Sequence, residues 1–139
     1  MSASVGILDT SAIIALPTLS DASALPETPL ITTITLAELS AGPLVTDDAA
    51  ERARRQSVLQ QAESDFDPLP FDAPAARVFG QVASALRRSG RMHKARAYDA
   101  LIAAIAIANS MPVYTANPDD FSGINGLSVV ALRAGSAKD

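Results

Sequence analysis

The segment VGILDTSA at residues 5–12 constrains the fold more than any other part of the sequence. A short apolar run ends at Asp9 and two hydroxyl residues, and a second apolar run follows at residues 12–16. Short apolar runs with polar boundaries are typical of a buried strand that passes into a helix. Asp9 is therefore predicted at the carboxyl end of the first strand, where ligands and catalytic groups gather in open α/β sheets.

Strand-like and helix-like segments alternate along the rest of the chain. Further strands are predicted at residues 30–33, 66–71, 112–115 and 127–132. Helices are predicted at residues 35–39, 47–64, 72–88 and 95–109. This alternation favours an α/β fold with a mostly parallel central sheet of about five strands, covered by helices on both faces. By length, residues 1–134 are expected to form a single domain, and residues 135–139 a disordered tail.

The composition limits the chemistry that the chain can perform. There is no cysteine, which excludes disulfides, thiolate metal sites and cysteine nucleophiles. The net charge of −4 gives no overall attraction to nucleic acid, so such a partner would require a local basic patch or metal ions. The longest apolar run, residues 100–108, is too short to cross a bilayer, and no secretory signal is predicted. A cytoplasmic protein without a membrane partner is expected.

Acidic residues directly follow apolar segments at four places: Asp9, Glu38, Asp99 and the pair Asp119-Asp120. In a parallel sheet, all four places belong to strand-to-helix turns and share one end of the domain. Carboxylates that crowd together repel one another unless protons or cations neutralise them. Mg²⁺ or Mn²⁺ suits a site of oxygen ligands that has neither His nor Cys. Such a site hydrolyses a phosphodiester through an activated water and needs no covalent nucleophile.

Each acid taken singly also has a purely structural interpretation, and both interpretations stay open. Glu38 follows Thr35 at the spacing of a capping box, in which the Glu side chain returns to the first amide of the helix. Asp99 is expected near the first turn of its helix, where the helix dipole favours negative charge. The segment NPDD at residues 117–120 has the pattern of a helix start. Asp9 is less easily explained as a cap, because the two hydroxyl residues after it could cap the helix.

Basic residues cluster just before Asp99. Five of the eleven Lys and Arg residues lie within ten positions: Arg87, Arg88, Arg91, Lys94 and Arg96. One interpretation is a helix C-terminus whose dipole favours cations, followed by a solvated loop. The other is a phosphate-binding patch beside the metal site, with Arg88, Arg91, Lys94 and Arg96 contacting RNA. His93, the only histidine, lies in this polar stretch and is expected at the surface.

Four segments together resemble the PIN-domain family and, within it, the VapC-type toxins of bacterial toxin–antitoxin pairs. They are LDTSA at residues 8–12, TLAEL at 35–39, YDALIAA at 98–104 and YTANPDDF at 114–121. The resemblance implies a three-layer α/β/α fold and a Mg²⁺- or Mn²⁺-dependent endoribonuclease that cleaves tRNA, rRNA or mRNA. It also implies a homodimer, a VapB-type antitoxin that silences the toxin, and a higher toxin–antitoxin assembly. The antitoxin and dimer contacts would lie on the helices between residues 36 and 64.

The same resemblance carries roles to individual positions. Asp9, Glu38 and Asp99 match the first three acids of the family, which hold the metal and are catalytic. Asp120 is the choice for the fourth acid, because Asn117 stands where many PIN domains have Asp. The supporting residues are Thr10, Ser11, Thr115, Asn117 and Asp119.

Three rival classes are weighed against this interpretation. A haloacid-dehalogenase-like phosphatase requires a second Asp two residues after the first, and Ser11 stands there. A receiver domain requires an acidic pair after the first strand and a Lys after the last, and neither is found. The third class is a catalytically idle PIN-like module that binds RNA or protein. Metal-dependent RNA cleavage that is lost in Asp9→Asn or Asp99→Asn separates an enzyme from such a module.

Overall fold

A parallel sheet of four strands lies at the centre of the computed structural model, which describes residues 4–133 apart from the side chain of Ala95. The predicted tail at residues 135–139 lies outside the described residues. The strands are β1 (Val5–Leu8), β2 (Thr28–Leu30), β3 (Val113–Thr115) and β4 (Val129–Ala131). The helices are α1 (Thr10–Ala15), α2 (Thr33–Ala41), α3 (Ala49–Asp65), α4 (Ala73–Arg88) and α5 (Lys94–Ala108). The strand order is β2-β1-β3-β4, and every neighbouring pair is parallel.

Helices cover both faces of the sheet and bury two apolar layers. Ile7 and Leu8 are consecutive residues of β1, and they belong to different layers because neighbouring strand residues point to opposite faces. One layer, beside α4 and α5, includes Ile7, Leu86, Ile102, Ile105 and Val113. The other, beside α1, α2 and α3, includes Leu8, Ile13, Ile31, Leu39 and Tyr114. The predicted α/β fold with a mostly parallel, doubly covered sheet is confirmed.

The strand predicted at residues 66–71 is wrong, and within the described chain the sheet has four strands rather than five. Only Leu69 pairs there, through an isolated parallel bridge to Thr32. The Leu69 amide donates to the Ile31 carbonyl at 2.9 Å, and the Leu69 carbonyl accepts from the Thr33 amide at 2.9 Å. The ladder cannot extend past Thr33, because the partner segment turns into helix α2 at that residue.

Two predicted helix starts are also displaced. The second strand was expected to reach residue 33, but α2 begins at Thr33 because the Thr32 hydroxyl accepts from the Thr35 amide at 3.2 Å. The predicted capping box from Thr35 to Glu38 is therefore wrong, since Thr32 is the cap and Glu38 lies in the second turn. Asp99 is the sixth residue of α5 rather than a first-turn residue. Where the cap was identified correctly, at Asp72, the predicted helix start is confirmed.

Gly6 allows the first and third strands to approach closely. A Cβ atom at this position would lie 2.2 Å from Cε1 of Tyr114, far inside van der Waals contact. The Tyr114 ring therefore packs directly over the Gly6 backbone and places the end of β3 beside the end of β1. Among the residues that the structure describes, no helix has the length and apolar character needed to cross a membrane.

Candidate functional site

Asp9 stands where β1 ends and α1 begins, and its carboxylate is almost completely buried. Oδ1 accepts from the Ala12 amide and from the Ser11 hydroxyl, both at 2.8 Å. Oδ2 accepts from the Thr115 hydroxyl at 2.6 Å. Burial raises the pKa of Asp9, these three donors oppose the rise, and the charge of Asp120 adds to it. Asp9 is thus the cap of α1 after all, and it also contributes charge to the end of the sheet.

Glu38 reaches the same end of the sheet from α2. Its Oε1 accepts a 2.6 Å hydrogen bond from the Thr10 hydroxyl, which also lies 3.0 Å from the buried Thr35 hydroxyl. Burial raises the pKa of Glu38, and the charge of Asp9 raises it further, against the effect of the Thr10 bond. The motif around residue 35 therefore supplies a hydroxyl beside the acid rather than a capping box. The sequence interpretation did not assign this role to Thr35.

Asp99 projects from α5 and is half-buried. Among the described residues, no donor lies within hydrogen-bond distance of its carboxylate, in contrast to Asp9. Burial raises the pKa of Asp99 to about 7, and the charges of Asp120, Asp9 and Glu38 add to the rise in that order. The nearby Arg96 guanidinium lowers this pKa only in part. Asp99 is the carboxylate here that most lacks a compensating partner.

The fourth acidic place is a turn after β3. Residues Pro118–Phe121 form a short 3₁₀ turn in which both Asp119 and Asp120 are exposed. Only Asp120 contributes charge that raises the pKa values of Asp9 and Asp99. The helix start predicted at residues 117–120 is confirmed as this turn, with Asn117 at its N-terminal boundary. The Asn117 side chain makes no cap hydrogen bond, and its backbone amide donates to the Thr115 hydroxyl at 3.0 Å.

Two residues of the basic cluster, Arg91 and Arg96, bind the segment after β3, whereas Lys94 and Arg88 do not. Arg96 binds the turn itself: Nη1 donates to the Asp120 carbonyl and Nη2 to the Asp119 carbonyl, each at 2.7 Å. Arg91 Nη1 donates to the Ser122 hydroxyl at 2.6 Å. These two arginines, predicted as RNA contacts, thus hold the turn that carries Asp120. Lys94 is exposed at the start of α5, and within residues 4–133 the Arg88 side chain bonds only Ser84 on its own helix.

The structure thus gathers four acidic groups from four separate elements into one electrostatic unit. No Lys or Arg in residues 4–133 forms an ion pair with any of them, and the salt bridges described lie on α3. The members are Asp9, Glu38, Asp99 and Asp120. Among the described residues, no three acidic or histidine side chains are placed close enough together to hold a metal ion. The donor set of carboxylates and hydroxyls suits Mg²⁺ or Mn²⁺, and a cation would satisfy the unpartnered Asp99.

An apolar groove of about 740 Å³ opens beside this unit, between α1, α2 and α3. Its walls include Ile13, Leu39, Val58 and Phe66, with Glu38 at one end. Exposed Ile14 also lines the groove. Because Glu38 is among its lining residues, the groove adjoins the acidic unit.

A parallel sheet with hydroxyl-supported acids at its carboxyl end defines a PIN domain, and comparison with known proteins agrees. The PIN domain family matches residues 7–127, and the chain belongs to that family. It is 36% identical to Ribonuclease VapC5 of Mycobacterium tuberculosis over 129 residues, which are 91% of this chain and 93% of that protein.

Solved structures show the same relationship. The crystal structure of VapBC-5 from Mycobacterium tuberculosis, a member of the VapBC family of toxin–antitoxin systems, matches with a TM-score of 0.79 and 34% identity. That match covers 92% of this chain and 98% of the solved chain. VapBC2 from Rickettsia felis, bound to a DNA fragment from its promoter, matches with a TM-score of 0.72 and 25% identity over 90% of this chain and 96% of the solved one. The resemblance to VapC-type PIN proteins is confirmed.

Proposed function

We propose that this chain is the toxin of a type II toxin–antitoxin pair and acts in the cytoplasm as a metal-dependent endoribonuclease. The carrying observation is Asp99: it is half-buried, its pKa is raised to about 7, and the other three acids contribute to that rise. Three further negative charges around a carboxylate without a donor favour a cation over a structural role. The names of its relatives, ribonucleases among them, support the same activity.

In this proposal the four acids bind the ion, and the residues around them hold the acids in place. Asp9, Glu38, Asp99 and Asp120 would hold Mg²⁺ or Mn²⁺, which when bound activates water and neutralises the charge of the scissile phosphate. Thr115 and Ser11 hold the Asp9 carboxylate, and Thr10 orients Glu38. Arg96 fixes the turn on which Asp120 stands. Asp119 has no part in binding the ion.

The test is cleavage of RNA by the purified protein. Mg²⁺ or Mn²⁺ should support cleavage of total cellular RNA, and EDTA should abolish it. Asp99→Asn should reduce the rate at least about 100-fold, because it removes a charge while breaking no hydrogen bond within the described residues. Asp99→Asn is a cleaner variant than Asp9→Asn, since Asp9 also caps α1. A folded parent protein that binds RNA but never cleaves it would instead be an idle binding module.

Neighbouring acids on the turn supply a matched control. Asp120→Asn should reduce cleavage about 10-fold or more, whereas Asp119→Asn should leave it within about twofold. The two variants remove the same charge from adjacent exposed positions. Equal losses in both would remove Asp120 from the proposed site.

The groove beside Glu38 supports an antitoxin of the VapB type as partner. Its apolar walls fit the apolar side chains of a bound peptide, and its Glu38 end could accept a basic residue. Relatives solved as VapBC toxin–antitoxin systems support the same partner. The toxin homodimer and the larger toxin–antitoxin assembly that the family resemblance implies belong to the same proposal. Co-expression with the protein encoded next to this gene should yield a stable complex without ribonuclease activity. Ile14→Glu, at an exposed position of the groove, should prevent that complex.

A further inference from the structure

Positive charge is segregated in one part of this acidic protein. Residues 73–98 contain six of the eleven Lys and Arg residues and none of the fifteen Asp and Glu residues. The rest of the chain therefore has five cations for all fifteen acids. The segment covers α4, the following loop and the first turn of α5. Such separation creates a local positive potential that the net charge of −4 conceals.

Part of this segment forms a defined surface on the solvent side of α4. Five residues line a shallow depression of about 470 Å³, and we name them the α4 arginine face: Arg77, Gly80, Gln81, Ser84 and Arg88. The opposite side of the helix packs into the core through Ala75, Val82 and Leu86. Arg77 and Arg88 are eleven residues apart, about 16 Å along the helix axis. They mark the two ends of the depression.

Gly80 in the middle of this face has no structural explanation. A glycine inside a helix is unfavourable relative to alanine. A Cβ atom at Gly80 would meet nothing within 4 Å, so no neighbour in the described chain requires its absence. The missing side chain is what leaves the surface hollow between the two arginines. Another molecule can therefore approach the α4 backbone closely at this point.

The residues that line the α4 arginine face indicate what kind of molecule binds there. The lining offers guanidinium, amide and hydroxyl donors, with no large apolar side chain and no acid. A second copy of α4 laid across it would set arginine against arginine, in either orientation, because Arg77 and Arg88 lie symmetrically about the centre. An apolar peptide would find no pocket. A strand of backbone phosphates meets both arginines with opposite charge, and its oxygens accept from Gln81 and Ser84.

We propose that the α4 arginine face binds backbone phosphates of the RNA strand that flanks the cleaved bond. The inference rests on the proposed ribonuclease function for the identity of the strand. α4 packs along α5, which carries Asp99, and the loop between the two helices carries Arg91. Positive charge thus continues from the face to the turn of Asp120. A bound strand would extend from the acidic residues across the loop and along α4.

The test measures RNA affinity as a function of strand length in an Asp99→Asn background, so that no cleavage interferes. The probes are fluorescein-labelled polyuridines of about 4 and about 20 nucleotides, and only the longer one spans both sites. Arg77→Gln/Arg88→Gln should weaken binding of the long probe roughly tenfold and leave the short probe within about twofold. Each lost phosphate contact should reduce the salt dependence by about 0.7, hence about 1.4 for the double variant. The matched control is Arg133→Gln, which removes an exposed arginine outside the segment and should change neither probe.

Gly80 provides a second variant that cannot fail by unfolding. Gly80→Ala should raise the melting temperature by a few degrees, since alanine favours a helix, and yet weaken the long probe several-fold. Unchanged affinity of the long probe in Arg77→Gln/Arg88→Gln overturns the proposal. The proposed function fails separately, if the parent protein never cleaves RNA while the face still binds the long probe. Conversely, if the double variant cleaves RNA with an unchanged KM, the proposed ribonuclease function stands and the proposed RNA binding by the α4 arginine face is contradicted.

Discussion

The Thr115 hydroxyl donates a 2.6 Å hydrogen bond to Oδ2 of Asp9, and 106 residues separate the two in the chain. The bond joins the ends of β1 and β3, which lie side by side in the sheet. Thr115 is completely buried, and its oxygen also accepts from the Asn117 amide. One hydroxyl therefore connects the buried acid to the turn that carries Asp120.

Replacing Thr115 tests that connection. Thr115→Val keeps the shape and removes the donor, so the buried Asp9 carboxylate loses one of three hydrogen bonds. We expect the free energy of unfolding at about pH 8 to fall by about 1–3 kcal/mol, measured with urea. Thr115→Ser retains the hydroxyl and should lose less than about 1 kcal/mol. Equal losses in the two variants would mean that the hydroxyl contributes no more to stability than the methyl group does.

Asp120 should control the protonation of Asp99. Burial and then the charge of Asp120 are the two leading reasons why the pKa of Asp99 is raised. Asp120→Asn should therefore lower the pKa of Asp99 in the metal-free protein, whereas Asp119→Asn should not. The measurement is an NMR titration of the Asp99 carboxyl carbon. If both substitutions shift it equally, the turn does not direct Asp120 toward α5.

The stability of the metal-free protein should decrease with pH. In the unfolded chain Asp99 ionises near its ordinary pKa of 3.8, but in the folded protein only near 7. Between these values the folded state retains a proton that the unfolded state has released, so the free energy of unfolding falls as pH rises through this range and levels off above it. The raised pKa values of Asp9 and Glu38 act in the same direction.

Urea unfolding in EDTA at several pH values between about 5 and 8 measures this slope. Asp99→Asn should flatten it most, because Asp99 carries no compensating donor. Added Mg²⁺ should stabilise the parent protein more at about pH 8 than at about pH 5, since protons compete with the ion for the carboxylates. A parent protein whose metal-free stability rises across this range would contradict the assignment.

Arg96 should act on metal binding through the turn that it holds. Its guanidinium donates to the carbonyls of Asp119 and Asp120, a fork that a lysine cannot reproduce. Arg96→Lys should retain the positive charge near Asp99 and still weaken Mg²⁺ binding several-fold, measured by calorimetry. Lys94→Gln, which removes a charge two residues away, should leave Mg²⁺ affinity within about twofold. If Lys94→Gln weakens Mg²⁺ binding more than Arg96→Lys does, positive charge near the site and not the position of the turn controls Mg²⁺ affinity.

The acidic motifs were readable in the sequence because each lies at the edge of an apolar run. Asp9, Glu38 and Asp99 could be selected from that pattern together with the family resemblance. Their partners could not be selected, because hydrogen bonds such as Thr10 to Glu38 join residues distant in the chain. The strand predicted at residues 66–71 failed for a related reason: local apolar character suggested pairing, but the partner segment turns into α2 at Thr33 and only Leu69 pairs.

The alternation of strands and helices, and hence a parallel sheet whose carboxyl ends share one edge, could be predicted from the local pattern of residues. Periodicity and residue type depend on neighbours in the chain, so they can be read there. Only the tertiary structure decided that Asp120 rather than Asp119 influences Asp99, and that Arg96 holds the turn instead of facing solvent. Those choices depend on the direction of side chains across packed elements, where burial and Coulomb interactions act through space rather than along the chain.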